Sequence, residues 1–142
     1  MLDQEVHFLL LRAFHYSHKC ITKRTQELGL CPGQPKILEY LLEHDGCIAR
    51  EICEGCVLDK STMTSLLARM ESQGLIAKEE SRQDKRAVHI RLTEQGRAMA
   101  DAVKVIFRAA DERALQGIPA AEQQMLTRLL QTVISNLEEE AE

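Results

Sequence analysis

Tryptophan is absent from these 142 residues, and three Phe and two Tyr are the only other large aromatics. Sandwiches and barrels rest on aromatic and β-branched strands, so this scarcity, beside plentiful Leu, Ala, Glu and Gln, points to a helical protein with little sheet. No apolar run reaches the ~18 residues that suggest a membrane span. Asp3, Glu5 and His7 interrupt the N-terminus, so there is no signal-peptide pattern, and a cytoplasmic protein without membrane contact is expected. Five cysteines, Cys20, Cys31, Cys47, Cys53 and Cys56, are an odd number and too sparse for a secreted scaffold, so reduced thiols are expected. Also missing are a Gly-rich phosphate loop, G-x-S-x-G and H-E-x-x-H, and Cys53-Glu-Gly-Cys56 lacks the strand that precedes such a pair in thioredoxin-like folds. The expectation is a protein with no catalytic residues, no cofactor and no resident metal.

Cations are in deficit as well, with Lys and Arg numbering 18 against 22 acids, a net charge of −4. Their distribution matters more than their sum. Lys60, Arg69, Lys78, Arg82, Lys85, Arg86, Arg91 and Arg97 fall between positions 60 and 97, whereas acids dominate from Asp111 onward. A locally basic face on an acidic chain remains compatible with nucleic acid.

That face lies in Asp59 to Thr93. Asp59 suits an N-cap, and Met63, Leu66, Leu67 and Met70 then recur at helical spacing, leaving Lys60, Ser61, Thr62, Thr64, Ser65 and Arg69 on a polar outer face. Gly74 supplies the stop of a helix expected over 60–73. A short apolar segment, Leu75 to Ala77, leads into a hairpin whose return arm alternates Val88, Ile90 and Leu92 with Ala87, His89 and Arg91. The tip, Ser81 to Arg86, carries Arg82, Lys85 and Arg86, where a fold needs no cations and a DNA groove does. Helix, strand, basic loop, strand is the order of a winged helix.

Upstream, Asp3 is expected to cap a first helix that runs to Leu28 and stops at Gly29. A second helix follows over Pro35 to Glu43, then a short strand, Cys47 and Ile48, that pairs with the wing. A short helix, Arg50 to Cys56, completes a helix-turn-helix with the polar-faced helix. Downstream, Thr93 caps a long helix from Glu94 to about Gln116, with Met99, Val103, Ile106 and Phe107 on one stripe. After Gly117 and Pro119 a last helix carries Leu126, Leu129, Leu130, Val133, Ile134 and Leu137. The fold class expected is mainly α with a small β-hairpin wing. Residues 1–142 form a single domain in which 1–29 and about 94–142 are dimerisation helices flanking a DNA-binding winged helix-turn-helix over about 34–93.

The stretch ARMESQGLIAKEESRQDKRAVHIRLTEQGR, with Asp-x-Arg at Asp84 and Arg86 and L-T-x-x-G at Leu92, Thr93 and Gly96, resembles the MarR family of bacterial transcriptional regulators. The similarity extends to LGLCPGQPKILEYL and to Glu51–Cys53. It implies an obligate homodimer on palindromic double-stranded DNA operators, commonly a repressor released by an effector. It further implies that the helix from Lys60 enters the major groove and Arg86 the minor groove, with Asp84 holding the wing. Arg69 either joins the DNA contacts or pairs with Asp84.

The resemblance also places effectors in a cleft beside the dimerisation helices, which makes Arg12, His15, Tyr16 and His18 candidates for binding a small aromatic or other organic effector. His7 stands where peroxide-sensing members carry their reactive cysteine, which counts against that chemistry here. Two other classes compete. One is a thiol-redox or metal-responsive regulator using Cys47, Cys53 and Cys56, with Cys31 a further thiol at the start of the second helix. The other is a winged-helix protein-interaction module, against which the basic tip argues. The resemblance implies that Cys53 and Cys56 occupy a small-residue slot and an apolar slot of the short helix, and packing is their expected role.

Overall fold

The computed structural model describes residues 1–81, 83 and 87–141. It comprises two compact units, Met1–Ala110 and Asp111–Glu142. The first opens with a 3-10 turn, Leu2–Gln4, followed by α1, Val6–Glu27. Asp3 does not cap α1. It lies inside the 3-10 turn, while an N-cap needs extended backbone, and that conformation belongs to Glu5. α1 buries only Thr25 fully and leaves Val6, Leu9, Leu11 and Phe14 exposed.

α2, Gln34–Glu43, starts from Gly33, whose φ of 94° is open to glycine without strain. Pro35 sits in its first turn, where a missing N–H costs nothing. The fully buried Gln34 does what the cap residue cannot: its Oε1 accepts from the Cys31 N–H at 3.1 Å and its Nε2 donates to Gln73 Oε1 at 3.0 Å. Ile37, Leu38 and Leu41 turn inward against α3, Ala49–Gly55, and α4, Lys60–Ser72. Leu30, Ile52, Cys56, Met63, Leu67, Met70, Leu75, Ile76, Ile90, Ala100 and Val103 complete this core. A fully buried aliphatic side chain is worth about 1.5–3 kcal/mol as an upper figure, so the spacing of these few residues decides the fold of the unit.

β1, Cys47–Ile48, β2, Ile76–Glu80, and β3, Val88–Leu92, form an antiparallel sheet in the order β1-β3-β2. Cys47 opposes Ile90, and Ile76 opposes Leu92. α5, Glu94–Ala114, begins at Thr93, whose hydroxyl accepts from the Gly96 N–H at 2.9 Å. The helix stops two residues short of the expected Gln116, in a turn where the Gln116 N–H donates to the Arg113 carbonyl.

In the second unit Gly117 takes a left-handed backbone conformation, φ 85°, before α6, Ala120–Ala141. α6 buries no residue fully, and Leu126, Leu129, Leu130, Ile134 and Leu137 stay exposed along one stripe. Among the described residues no helix is long and apolar enough to cross a membrane.

Candidate nucleic-acid interface

α3 and α4 are joined by four residues, and the turn is held from inside. The Leu58 N–H donates to the Cys53 carbonyl, and the Cys53 thiol donates back to the Leu58 carbonyl at 2.7 Å. Val57, highly exposed, has φ 54°, a left-handed conformation that costs a β-branched residue roughly 1–2 kcal/mol. Nothing in the sequence pattern marked it.

Asp59 caps α4 as expected, accepting the Thr62 N–H at 2.7 Å and the Thr62 hydroxyl at 2.7 Å. These two bonds hold its carboxyl below the usual carboxylate range. A lowered folded pKa means the cap stabilises above the unfolded carboxylate value and fades as pH falls through the folded one. Asp59→Ala should therefore lower the melting temperature at neutral pH and lose that difference on acidification. Parallel melts of mutant and wild type from pH 7 downward measure it, and a gap that is constant with pH would remove the cap from α4.

Met63, Leu67 and Met70 face the core, and Lys60, Ser61, Thr62, Thr64, Ser65 and Arg69 are all exposed. Their hydrogen-bonding capacities differ. The Thr62 hydroxyl proton is used on Asp59, and that of Thr64 on the Lys60 carbonyl at 2.8 Å, so both present only acceptor lone pairs outward. The side chains of Lys60, Ser61, Ser65 and Arg69 make no hydrogen bond among the described residues, and they are the donors of this face. Arg69 lies in the last turn of α4, where its charge also complements the helix end.

The stem of the hairpin is neutralised. Arg91 Nε donates to Glu79 at 2.6 Å, and Lys78 lies 3.8 Å from Glu71. Ser81 closes the base of the tip by donating its N–H to the Ala87 carbonyl. Arg82, Asp84, Lys85 and Arg86 lie outside the described residues, and with them the suggested pairing of Arg69 with Asp84.

The wing is tied to the body at its root by Asp45, His89 and Thr93. Asp45 accepts the Leu92 N–H at 2.8 Å and Arg97 Nη2 at 3.2 Å. His89 Nδ1 lies 2.8 Å from the Gly46 carbonyl, which can only accept, so the proton sits on Nδ1. Thr93 donates its hydroxyl to the Gly74 carbonyl at 2.6 Å and its N–H to the Leu75 carbonyl. The L-T-x-x-G segment is thus a clamp between the end of α4 and the start of α5.

The thiols of α3 are closed in. Cys56 is buried, its Sγ donates to the Lys36 carbonyl at 3.5 Å, and burial pushes its pKa up to about 11, so it stays a thiol at neutral pH. Burial also pushes Cys47 up, with Glu51 adding to the shift. Cys31 is half-buried and Cys20 exposed. No group of three His, Cys, Asp or Glu among the described residues is placed to hold a metal ion.

The four α1 candidates separate. His18 lines a cavity of about 170 Å³ with Phe14, Ile21, Thr25, Pro35 and Phe107. His15 and His18 also border a shallow groove with Lys19 and Lys23. Arg12 and Tyr16 line neither: the Arg12 guanidinium lies 5.3 Å from the Tyr16 ring centroid and 5.8 Å from that of Phe8. Phe14 and Phe107 were missed as cavity residues, although Phe14 stands one helical turn before His18 and stacks on it at 5.5 Å.

Comparison with known proteins agrees with this architecture. The MarR family model matches residues 28–87. The organic hydroperoxide resistance transcriptional regulator of Bacillus subtilis is 35% identical over 95 residues, 67% of this chain. The chain spans 65% and 62% of the length of two such curated relatives, the aligned part in each being less than two thirds. Among solved structures, a MarR family regulator from Silicibacter pomeroyi superposes with a TM-score of 0.87 at 26% identity, covering 96% of this chain and 92% of the other. CouR from Rhodococcus jostii RHA1, bound to p-coumaroyl-CoA, superposes with 0.82 at 26% identity, covering 94% of each. The winged helix-turn-helix and its L-T-x-x-G clamp agree with these similarities to MarR family regulators.

Proposed function

We propose that the protein is a homodimeric, effector-responsive transcriptional regulator, a repressor that binds palindromic DNA. The observation that carries this reading is the exposed face of α4, on which Lys60, Ser61, Ser65 and Arg69 offer donors while a buried Met63–Leu67–Met70 stripe fixes the helix to the core. Donors suit phosphates and the guanine edge, and the acceptor-only Thr62 and Thr64 suit amino groups of adenine or cytosine. The basic tip, with Arg86 in the minor groove, adds affinity on narrow A·T-rich flanks. Residues 1–29 and about 94–142 are assigned to dimerisation, which sets two α4 helices about 34 Å apart on successive major grooves. No catalytic role is proposed, and a cytoplasmic location follows from the target.

The cavity beside Phe14 and His18 is the proposed effector site, for a small aromatic or other organic molecule. CouR holds an aromatic acyl-CoA, which supports the class and not the compound. Hydroperoxide sensing is not proposed, since His7 stands in the place of the reactive sulfur.

Arg86→Ala should weaken operator binding several-fold while leaving the dimer folded. Fluorescence anisotropy titrations at low salt measure it, and equal affinity of mutant and wild type would take the wing out of the interface. For the wild type, binding should fall steeply and linearly with salt on a log–log plot. A flat salt dependence would favour a protein-interaction module instead.

A further inference from the structure

A second cleft opens along α2, bordering the Phe14–His18 cavity at Lys36, which lines both. Its volume is about 390 Å³, within the range of about 300–1,000 Å³ typical of small-molecule sites. Tyr40 and His44 form one wall as a stacked pair, with ring centroids 4.2 Å apart and planes inclined by 27°. That wall exists because position 55 is glycine: a Cβ there would collide with the Tyr40 ring, so a side chain at 55 would push the ring out of place. Leu42 and Cys56 add apolar lining, and the Cys56 thiol is occupied with the Lys36 carbonyl and protonated.

Charges of both signs complete the cleft, Lys36 and Lys104 against Glu39 and Glu43. No salt bridge among the described residues engages Lys36, Lys104 or Glu43. A simple acid would satisfy the ammonium groups and leave its charge beside Glu43, and a simple amine would do the reverse beside Lys104. A molecule carrying a carboxylate and an ammonium on one carbon, with a ring attached, meets both while its ring lies on the Tyr40–His44 wall.

We propose that this cleft, lined by Tyr40, His44, Glu43 and Lys104, is a binding site for a zwitterionic aromatic compound of amino-acid size. It shares only Lys36 with the lining of the Phe14–His18 cavity, and it depends on no part of the DNA-binding reading.

Calorimetric titration of the full chain with L-phenylalanine, benzoate and phenethylamine tests it without DNA. L-phenylalanine should bind saturably with a dissociation constant near or below about 1 mM, at least about tenfold tighter than either single-charge compound. Lys104→Met, at a half-buried position, and Glu43→Gln, at an exposed one, should each weaken it about tenfold with unchanged circular dichroism. Phe14→Ala, in the other cavity, should leave it unchanged. Absence of saturable binding, benzoate or phenethylamine binding as tightly as L-phenylalanine, insensitivity to both cleft variants, or loss in Phe14→Ala would each overturn the assignment.

Discussion

Gly96→Ala should destabilise the protein by about 2–3 kcal/mol, although alanine is normally the better helix former by about 1 kcal/mol. Gly96 lies in the first turn of α5, and a Cβ built on it falls on the backbone carbonyl of Leu75. That carbonyl cannot yield, because it accepts the Thr93 N–H while Thr93 also bonds the Gly74 carbonyl and the Gly96 N–H. Backbone meets backbone at this crossing, so relief requires moving α5 away from β2 or opening the Thr93 clamp. A fall in melting temperature of about 6–12 °C is expected at fixed protein concentration. Ala98→Gly, at an exposed position of the same helix, should cost only about 1 kcal/mol. The two exchanges thus act in the same direction although they are opposite in chemistry. A Gly96→Ala protein as stable as wild type would show that α5 does not depend on this close approach.

The same clamp explains why some of the structure was legible in the sequence and some was not. Period and capping residues are local signals, and they located α4, its Asp59 cap, the Thr93 cap of α5 and the strand at Cys47 that pairs with the wing. Asp3 misled because a good cap residue says nothing about whether its own backbone is extended, and here the chain makes a 3-10 turn first. Gln34 was passed over because its value lies in reaching Gln73, 39 residues away, a pairing no local window contains. Val57 gave no signal because a β-branched residue argues against the left-handed turn it adopts. His89 was legible only as one position of an alternating strand, yet it and Asp45 join the root of the wing to the turn before β1. On α1 His18 lines a cavity, whereas Arg12 and Tyr16, on another side of the helix, are occupied with each other. The tertiary partner decides which face of an amphipathic helix becomes a site, and that partner is not written in the helix.

The second large effect concerns the apolar surface that the chain leaves uncovered. Leu129, Leu130, Ile134 and Leu137 are 47%, 37%, 52% and 58% exposed along α6. A stripe this long is expensive to leave in water, at about 25 cal/mol per Å², and exposed patches of this kind mark association surfaces. Under the proposed function it is covered by a second copy of the chain. Leu130→Glu combined with Ile134→Glu would bury two carboxylates in that interface, and it should give monomers of unchanged helicity. Operator affinity should then fall by about 10²- to 10⁴-fold, because each winged helix loses the effective concentration supplied by its linked partner. Sedimentation equilibrium reads the mass, circular dichroism the helicity and anisotropy the affinity. A monomer with wild-type affinity would mean that one winged helix suffices. A stable dimer with both glutamates in place would mean that the two copies meet elsewhere. Since the acceptor-only threonines and few donors of α4 offer modest base discrimination, under the proposed function fixed spacing between two copies would supply the remainder, with the uncovered stripe setting that spacing.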